Sequence, residues 1–220
     1  MFGCIGRLGC LAVLVIVGAA AWFTRDRWMS KVVNTLPAAA SAPVWEALTP
    51  AAAERGRRAV TAMSTTSGPV YENLHAAEVA SYVFQTLAKT IPASADSAEA
   101  AVIGDVLYVR AMVPVKEIGA SGVLGPLAGL LNDREKLSFG GTFHVVRPGL
   151  SEFQVREIKL RDFKVPAGAI PRLLKQISHG PRPEGIADDA IPVTTPKTLG
   201  DVRIANHLVT LYKTPAAAAP

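Results

Sequence analysis

Residues 136–165 read KLSFGGTFHVVRPGLSEFQVREIKLRDFKV, and this stretch decides the fold. Apolar and polar residues alternate on both sides of Pro148-Gly149, a dipeptide typical of turns. Alternation with a period of two indicates strands that bury one face. The stretch therefore predicts two antiparallel strands joined by a tight turn.

The second of these strands changes the parity of its apolar positions twice. The apolar pairs fall at positions 153 and 155, then at 158 and 160, and then at 163 and 165. A regular strand would turn the middle pair to the opposite face of the sheet. Two bulges, near Arg156-Glu157 and Arg161-Asp162, would restore one apolar face and bend the sheet. The alternative is a regular strand with both faces partly covered.

The remaining elements follow from the same periodicities and from turn residues. Helices are predicted at 50–63, with Thr49 as the N-cap, at 74–91 and at 169–178. Further strands are predicted at 101–103 and 106–115 around Gly104-Asp105, and at 202–204 and 208–212 around Asn206. Residues 119–133 are predicted to form a loop with a short helix, and the proline-rich residues 179–197 to form a loop. The predicted class is α+β, with one curved antiparallel sheet packed on helices.

The N-terminus carries a different signal. Residues 8–23 (LGCLAVLVIVGAAAWF) contain no charge, and such a run belongs in a bilayer because charges are costly in hydrocarbon. Two interpretations stay open: a retained transmembrane helix, or a signal segment cleaved after Ala21, since Ala19-Ala20-Ala21 fits an A-x-A site. We assign residues 1–28 to this anchor or signal segment and 29–43 to a Pro/Ala-rich spacer. Residues 44–213 are the α+β domain and 214–220 a disordered tail.

Both interpretations carry the domain across the membrane, and a retained anchor predicts a single-pass protein of the bacterial inner membrane with an extracytoplasmic domain. Arg25, Arg27 and Lys31 oppose this orientation, because positive charge favours the cytoplasmic side. We expect that statistical rule to fail here. Both cysteines, Cys4 and Cys10, lie in the N-terminal segment, so the domain contains no disulfide and no cysteine–zinc site.

Composition and motifs argue against several function classes. The net charge is +5, but no basic stripe is interleaved with aromatic residues, so nucleic acid is not an expected partner. The four histidines show no HxH or HExxH spacing, and Asp188-Asp189 has no companion triad. The glycines at 122, 125 and 129 do not fit a phosphate loop. The sequence therefore predicts no catalytic residue, no metal site, no cofactor and no enzyme.

The order of the predicted elements over residues 74–177 can be compared with that of a known family. A helix LHAAEVASYVFQTL precedes VLYVRAMVPV, LGPLAGLLN, FGGTFHVVRPGLSEFQVREIKL and FKVPAGAIPRLLKQI, which together extend over residues 74–177. This order, with its Val165-Pro166 helix start, resembles the YpmS-like family of single-pass bacterial envelope proteins. More distantly it resembles envelope proteins with a tubular lipid-binding fold. The resemblance implies a highly curved sheet wrapped on a long helix, with a hydrophobic groove for an acyl chain, and it brings no active residues.

The predicted function is the binding of a lipid-like or other hydrophobic ligand by a membrane-anchored, non-catalytic domain. The candidate groove residues are Phe139, Phe143, Phe153, Val155, Phe163 and Leu174. A filled core would use the same alternation, so that reading of these residues stays open. The second hypothesis is a structural or adaptor protein of a bacterial envelope complex. Such a protein would bind a protein partner through an exposed strand edge or through the proline-rich loop.

Overall fold

The computed structural model describes residues 43–65, 67–87, 95–115, 132–177 and 182–214, all within the unit Pro43–Pro220. The predicted anchor, nearly all of the predicted spacer, residues 116–131 with the predicted short helix, and residues 215–220 of the predicted tail lie outside them. Within the described part of the chain, no helix combines the length and the apolar character needed to cross a membrane.

The elements confirm the α+β class. In chain order the strands and helices are β1 (Glu46–Ala47), α1 (Pro50–Ser64), β2 (Tyr71–His75), α2 (Ala76–Ala80), a π-helical segment (Ser81–Leu87), β3 (Asp96–Ile103), β4 (Val106–Pro114), β5 (Arg134–Arg147), β6 (Leu150–Leu160), β7 (Phe163–Lys164), a 3₁₀ turn (Ala167–Ala169), α3 (Ile170–Ile177), β8 (Ala190–Thr194), β9 (Leu199–Ala205) and β10 (Leu208–Lys213).

The strands form two antiparallel sheets, and the prediction of a single sheet is wrong. The large sheet has the order β1-β3-β4-β5-β6-β7, with β8 also paired to β6. The small sheet has the order β2-β10-β9. Its β10 pairs with β2 from Leu208 opposite His75 to Tyr212 opposite Tyr71. Since the predicted closing hairpin finds its partner in β2, it does not join the large sheet.

The predicted helix at 74–91 is wrong at its start. Leu74 and His75 belong to β2, where pairing with β10 satisfies their backbone groups. The helical conformation begins at Ala76. At this start, the His75 backbone N–H donates a hydrogen bond of 3.0 Å to the Glu78 side chain. By contrast α1 begins as predicted, with the Thr49 hydroxyl accepting from the Ala52 N–H at 3.1 Å.

The first predicted bulge is confirmed in β6. Gly140 of β5 pairs with Glu157, and Gly141 pairs with Val155, so that Arg156 is the extra residue. The bulge puts the two apolar pairs of β6 on one buried face of the sheet. These four buried residues are Phe153, Val155, Ile158 and Leu160.

The second predicted bulge is wrong. Arg161 has a positive φ of 55°, and with Asp162 it makes a turn that reverses the chain. Phe163–Lys164 then pairs antiparallel with the end of β6, with Phe163 opposite Leu160. The change of parity at this point marks a hairpin instead of a bulge. Phe163 is consequently 41% exposed.

The proline-rich region 179–197 contains a strand, where the sequence predicts only a loop. Ala190–Thr194 forms β8, which pairs with β6 and places Pro192 opposite Glu152. Proline lacks a backbone N–H, so it is tolerated in a strand that pairs on one side only. The helix predicted at 169–178 is observed as α3, which begins one residue later at Ile170.

Candidate functional site

Three of the predicted groove residues lie in an interlocked aromatic cluster, which we define as Phe84, Phe139, Phe143 and Phe153. The ring centroid of Phe84 lies 5.1 Å from that of Phe139 and 4.9 Å from that of Phe153. Phe143 lies 4.9 Å from Phe153. Near-perpendicular and tilted rings at these distances are in direct contact. The aromatic cluster is therefore a filled part of the core.

The other three predicted groove residues do not extend this cluster into a groove. Val155 and Leu174 are buried in the same continuous hydrophobic core. Phe163 lies outside it, on the β6–β7 hairpin. The six candidates therefore do not surround one cavity, and only Phe143 reaches the pocket described next.

An apolar pocket lies between three groups of elements: the helices α1 and α2 with the π-helical segment, the small sheet, and the connection from β8 to β9. The volume open to the centres of water-sized spheres is about 40 Å³, and the pocket is partly open to the surface. Its lining residues are Gly56, Val60, Leu74, Val79, Tyr82, Val83, Phe143, Ser151, Val193, Thr194, Thr195, Pro196, Leu199, Val202, Val209 and Leu211. We call this the intersheet pocket.

The exposure of these residues distinguishes the floor of the intersheet pocket from its mouth. Leu74, Val83 and Val209 are buried and belong to the floor. Thr194 is exposed, and Val202 is half-buried. The mouth, the more exposed part of the lining, therefore includes Val60 of α1 and Tyr82 of the π-helical segment as well as the end of β8, the β8–β9 connection and Val202 of β9.

Gly56 allows α1 to approach α2 and the π-helical segment, which together form one wall of the pocket. A Cβ atom at Gly56 would lie 2.5 Å from the backbone oxygen of Glu78 and 3.0 Å from Cβ of Tyr82. Contacts this short force the neighbouring backbone to shift. Because Gly56 itself lines the pocket, the width of the pocket depends on this close approach.

The intersheet pocket contains one partly buried, hydrogen-bonded pair of hydroxyls. Ser151 Oγ lies 2.9 Å from Thr195 Oγ1. Ser151 has no exposed surface, whereas Thr195 is half-buried. Apolar walls with a few polar groups are the usual construction of a small-molecule site, because the apolar area supplies affinity and the polar groups fix orientation.

Charged groups lie beside the pocket, not in its lining. Glu78 forms an ion pair with Arg55 at 2.6 Å and also holds the start of α2.

On the outer face of β6, a hydrogen bond from Lys159, assisted by Lys164, lowers the pKa of Glu157 below its ordinary value. Over the described ranges, no three His, Cys, Asp or Glu side chains gather as metal ligands would.

Comparison with known proteins adds no relative: no protein-family model, curated protein or solved structure matches this chain. The resemblance to the YpmS-like family therefore stays a prediction.

Most of the pocket residues could not be selected from the sequence. The sequence predicts a long loop that covers nearly all of the β8–β9 connection, 195–198, and a single sheet that includes the closing hairpin. The available signal was the alternation in β10, where Val209 and Leu211 are buried. That alternation predicts a buried face but does not predict which element covers it.

Proposed function

We propose that this chain is a non-catalytic, membrane-tethered domain that binds a small hydrophobic group in the intersheet pocket. The observation that supports this proposal is the pocket itself, with its apolar walls and partly open mouth. A buried apolar surface gains affinity for a ligand by removing its hydrocarbon from water. The proposed tether is the apolar segment 8–23, with the domain on the extracytoplasmic side of a bacterial inner membrane.

The size of the pocket limits the ligand. One water needs on the order of 10–15 Å³ by this measure of volume. The pocket of about 40 Å³ therefore has room for roughly three groups of that size. A short aliphatic group fits this space, whereas a whole acyl chain does not. We therefore replace the predicted long groove for an acyl chain with a pocket for a short hydrophobic group.

Native mass spectrometry with extraction of bound small molecules tests the proposal. The chain is purified from a bacterial membrane alongside two variants that add the same bulk. Val202→Phe places a ring at the mouth of the pocket, and Val70→Phe places one at a position that is 72% exposed. We expect a bound hydrophobic species on the parent chain and on the Val70→Phe variant, and none on the Val202→Phe variant.

Two results would contradict the proposal. One is a stable chain without any bound species when it is purified under non-extracting conditions. The other is a bound species retained equally by Val202→Phe, because the ligand would then occupy some other surface.

A second candidate function, that of an envelope adaptor, is favoured by an exposed patch on the small sheet. Val70 and Tyr71 are exposed at the start of the edge strand β2, and the Tyr71 ring lies 6.3 Å from that of Tyr212. Tyrosines are common at protein interfaces because they supply large contact areas and a hydroxyl. The Arg203 guanidinium lies 5.2 Å from the centre of the Tyr212 ring and adds a positive charge.

Crosslinking in intact membranes tests the adaptor function. A photoreactive phenylalanine at Tyr71 is compared with the same residue at Phe163, an exposed aromatic position on the large sheet. An adaptor gives one defined partner from position 71 and not from 163. Deletion of residues 181–196 is unsuitable as a test, since it would remove β8 from the large sheet.

A further inference from the structure

The hydroxyl pair of the intersheet pocket carries one proton more than its own hydrogen bond uses. Ser151 and Thr195 each have one O–H, and the 2.9 Å contact between their oxygens uses one of the two protons. Within the described residues, neither hydroxyl makes another hydrogen bond. The second proton therefore needs an acceptor.

Burial determines which hydroxyl keeps the unused proton. Ser151 is fully enclosed, so its proton must be donated inside the fold, and Thr195 Oγ1 is the acceptor within reach. Thr195 is half-buried and stands in the chain between exposed Thr194 and half-buried Pro196. The proton of Thr195 is therefore available at the mouth of the pocket, where its apolar lining meets solvent.

We infer that Thr195 donates a hydrogen bond to an acceptor oxygen of the ligand, while a short aliphatic group of the same ligand fills the pocket below. This inference rests on the proposed function and specifies its ligand. The chemical class is a small molecule with a short aliphatic acyl group, whose carbonyl oxygen lies at the mouth. Ser151 acts as a positioning residue, since its own donation to Thr195 orients the Thr195 hydroxyl.

The chemistry of the pair favours a carbonyl over other polar groups. With the Ser151 proton donated to Thr195 Oγ1 across the 2.9 Å contact, the Thr195 hydroxyl keeps its own proton and one lone pair for a ligand. A carbonyl oxygen is an acceptor only and brings no proton of its own that would need a partner. A pure hydrocarbon fills the same volume but leaves the Thr195 proton without an acceptor wherever it excludes water.

The test compares two probes of the same shape on the 220-residue chain in lipid nanodiscs of one composition. The probes are 2-pentanone and 2-methyl-1-pentene, in which a CH₂ group replaces the carbonyl oxygen. Binding is followed through ¹³C-labelled valine methyls, which report from Val60, Val193, Val202 and Val209 of the pocket lining. The measured quantity is the ratio of the apparent Kd of the alkene to that of the ketone. Partition into lipid affects this ratio equally in every variant.

Three variants identify the donor. We expect Thr195→Val to lower the ratio by about three- to tenfold, the range for one net hydrogen bond. Thr195→Ser retains a hydroxyl and should retain the ratio of the parent chain. Thr61→Val removes a hydroxyl from the exposed surface of α1, outside the pocket lining, and it should leave the ratio unchanged.

The outcomes separate this inference from the function on which it rests. If both probes shift the pocket valines but Thr195→Val leaves the ratio unchanged, the inference is overturned and the proposed pocket function stands. If Thr195→Ser lowers the ratio as much as Thr195→Val, the hydroxyl is not responsible and the inference is again overturned. If neither probe shifts any pocket valine, the proposed function fails together with the inference.

Discussion

The aromatic cluster and the intersheet pocket are both apolar, yet only the first is filled. In the aromatic cluster, Phe153 has no exposed surface and contacts rings on both sides. The intersheet pocket lies a short distance along the same core, reached through Phe143, and its remaining walls are mostly valine, leucine and threonine. Large rings within one sheet-and-helix layer interlock, whereas smaller side chains at the junction of two sheets leave a space.

This difference matters for function because burial alone does not distinguish the two regions. Phe153 and Val209 are both completely buried, but one contacts only protein atoms and the other borders the open space. Space that a ligand can fill is therefore expected at the junction and not beneath the long strands. The predictions below measure how each region responds when its volume or its packing is changed.

The largest effect is expected from removing the central ring of the aromatic cluster. Phe153→Ala should lower the free energy of unfolding by about 3–5 kcal/mol, because a fully buried ring is lost and its neighbours cannot refill the space. Phe163→Ala, on the exposed hairpin, should lower it by less than about 1 kcal/mol. Urea unfolding of both variants measures the difference. Equal losses would mean that the aromatic cluster is not closely packed.

The next largest effect is expected where α1 contacts α2 and the π-helical segment. Alanine normally stabilises a helix relative to glycine by about 1 kcal/mol. At Gly56 we expect the opposite sign, a loss of about 1–3 kcal/mol, because the new Cβ would lie 2.5 Å from the Glu78 oxygen. Gly168→Ala is the matched control, since no atom lies within 4 Å of its Cβ position. Thermal unfolding that shows Gly56→Ala to be stabilising would contradict the close approach.

Adding one methylene to each region should give effects of opposite sign. Val155→Ile enlarges a residue of the filled core and should destabilise the chain by about 1–3 kcal/mol. Val193→Ile enlarges a residue that borders the intersheet pocket and should stabilise it by up to about 0.8 kcal/mol. Chemical denaturation of the two variants compares them directly. Destabilisation of similar size in both would show that the pocket closes in solution.

The outcome of the sequence-based predictions reflects the range of the interactions involved. The β5–β6 hairpin and the bulge at Arg156 follow from alternation and a change of parity within thirty residues, and both are confirmed. The sequence predicts helix for Leu74 and His75, the end of β2, because their partner strand β10 lies far away along the chain, with Tyr71 opposite Tyr212. Pairing over such a separation leaves no local pattern.

The candidate site was harder to predict than the fold, for a related reason. Apolar alternation identifies residues that face the interior, and five of the six predicted groove residues do so, at least in part. Whether facing residues interlock or leave a space depends on which elements meet. The pocket combines residues from Gly56 to Leu211, and its polar pair joins Ser151 to Thr195 across the β6–β8 pairing. No spacing of residues along the sequence predicts that these elements contact one another.

The smallest effect is expected on the outer face of β6, opposite the filled core. Lys159 lies 2.6 Å and Lys164 3.4 Å from the Glu157 carboxylate, and their hydrogen bonds lower its pKa below 4.5. A lowered pKa in the folded state adds stability at pH values above the unfolded pKa, and this stability is lost as the pH falls through the folded pKa. Glu157→Gln should therefore cost about 0.5–1 kcal/mol at pH 7, and this cost should shrink as the pH falls through the folded-state pKa.

Denaturation of the parent chain and of Glu157→Gln between pH 3 and pH 7 measures this loss, and 1 M salt should reduce it because the pairs are partly exposed. A difference between the two chains that stays constant from pH 7 to pH 3 would show that the carboxylate charge does not stabilise β6. The cost of Glu157→Gln would then come from the shape or packing of the side chain and not from its charge, whereas Phe153→Ala would still lower stability through the inner face of β6.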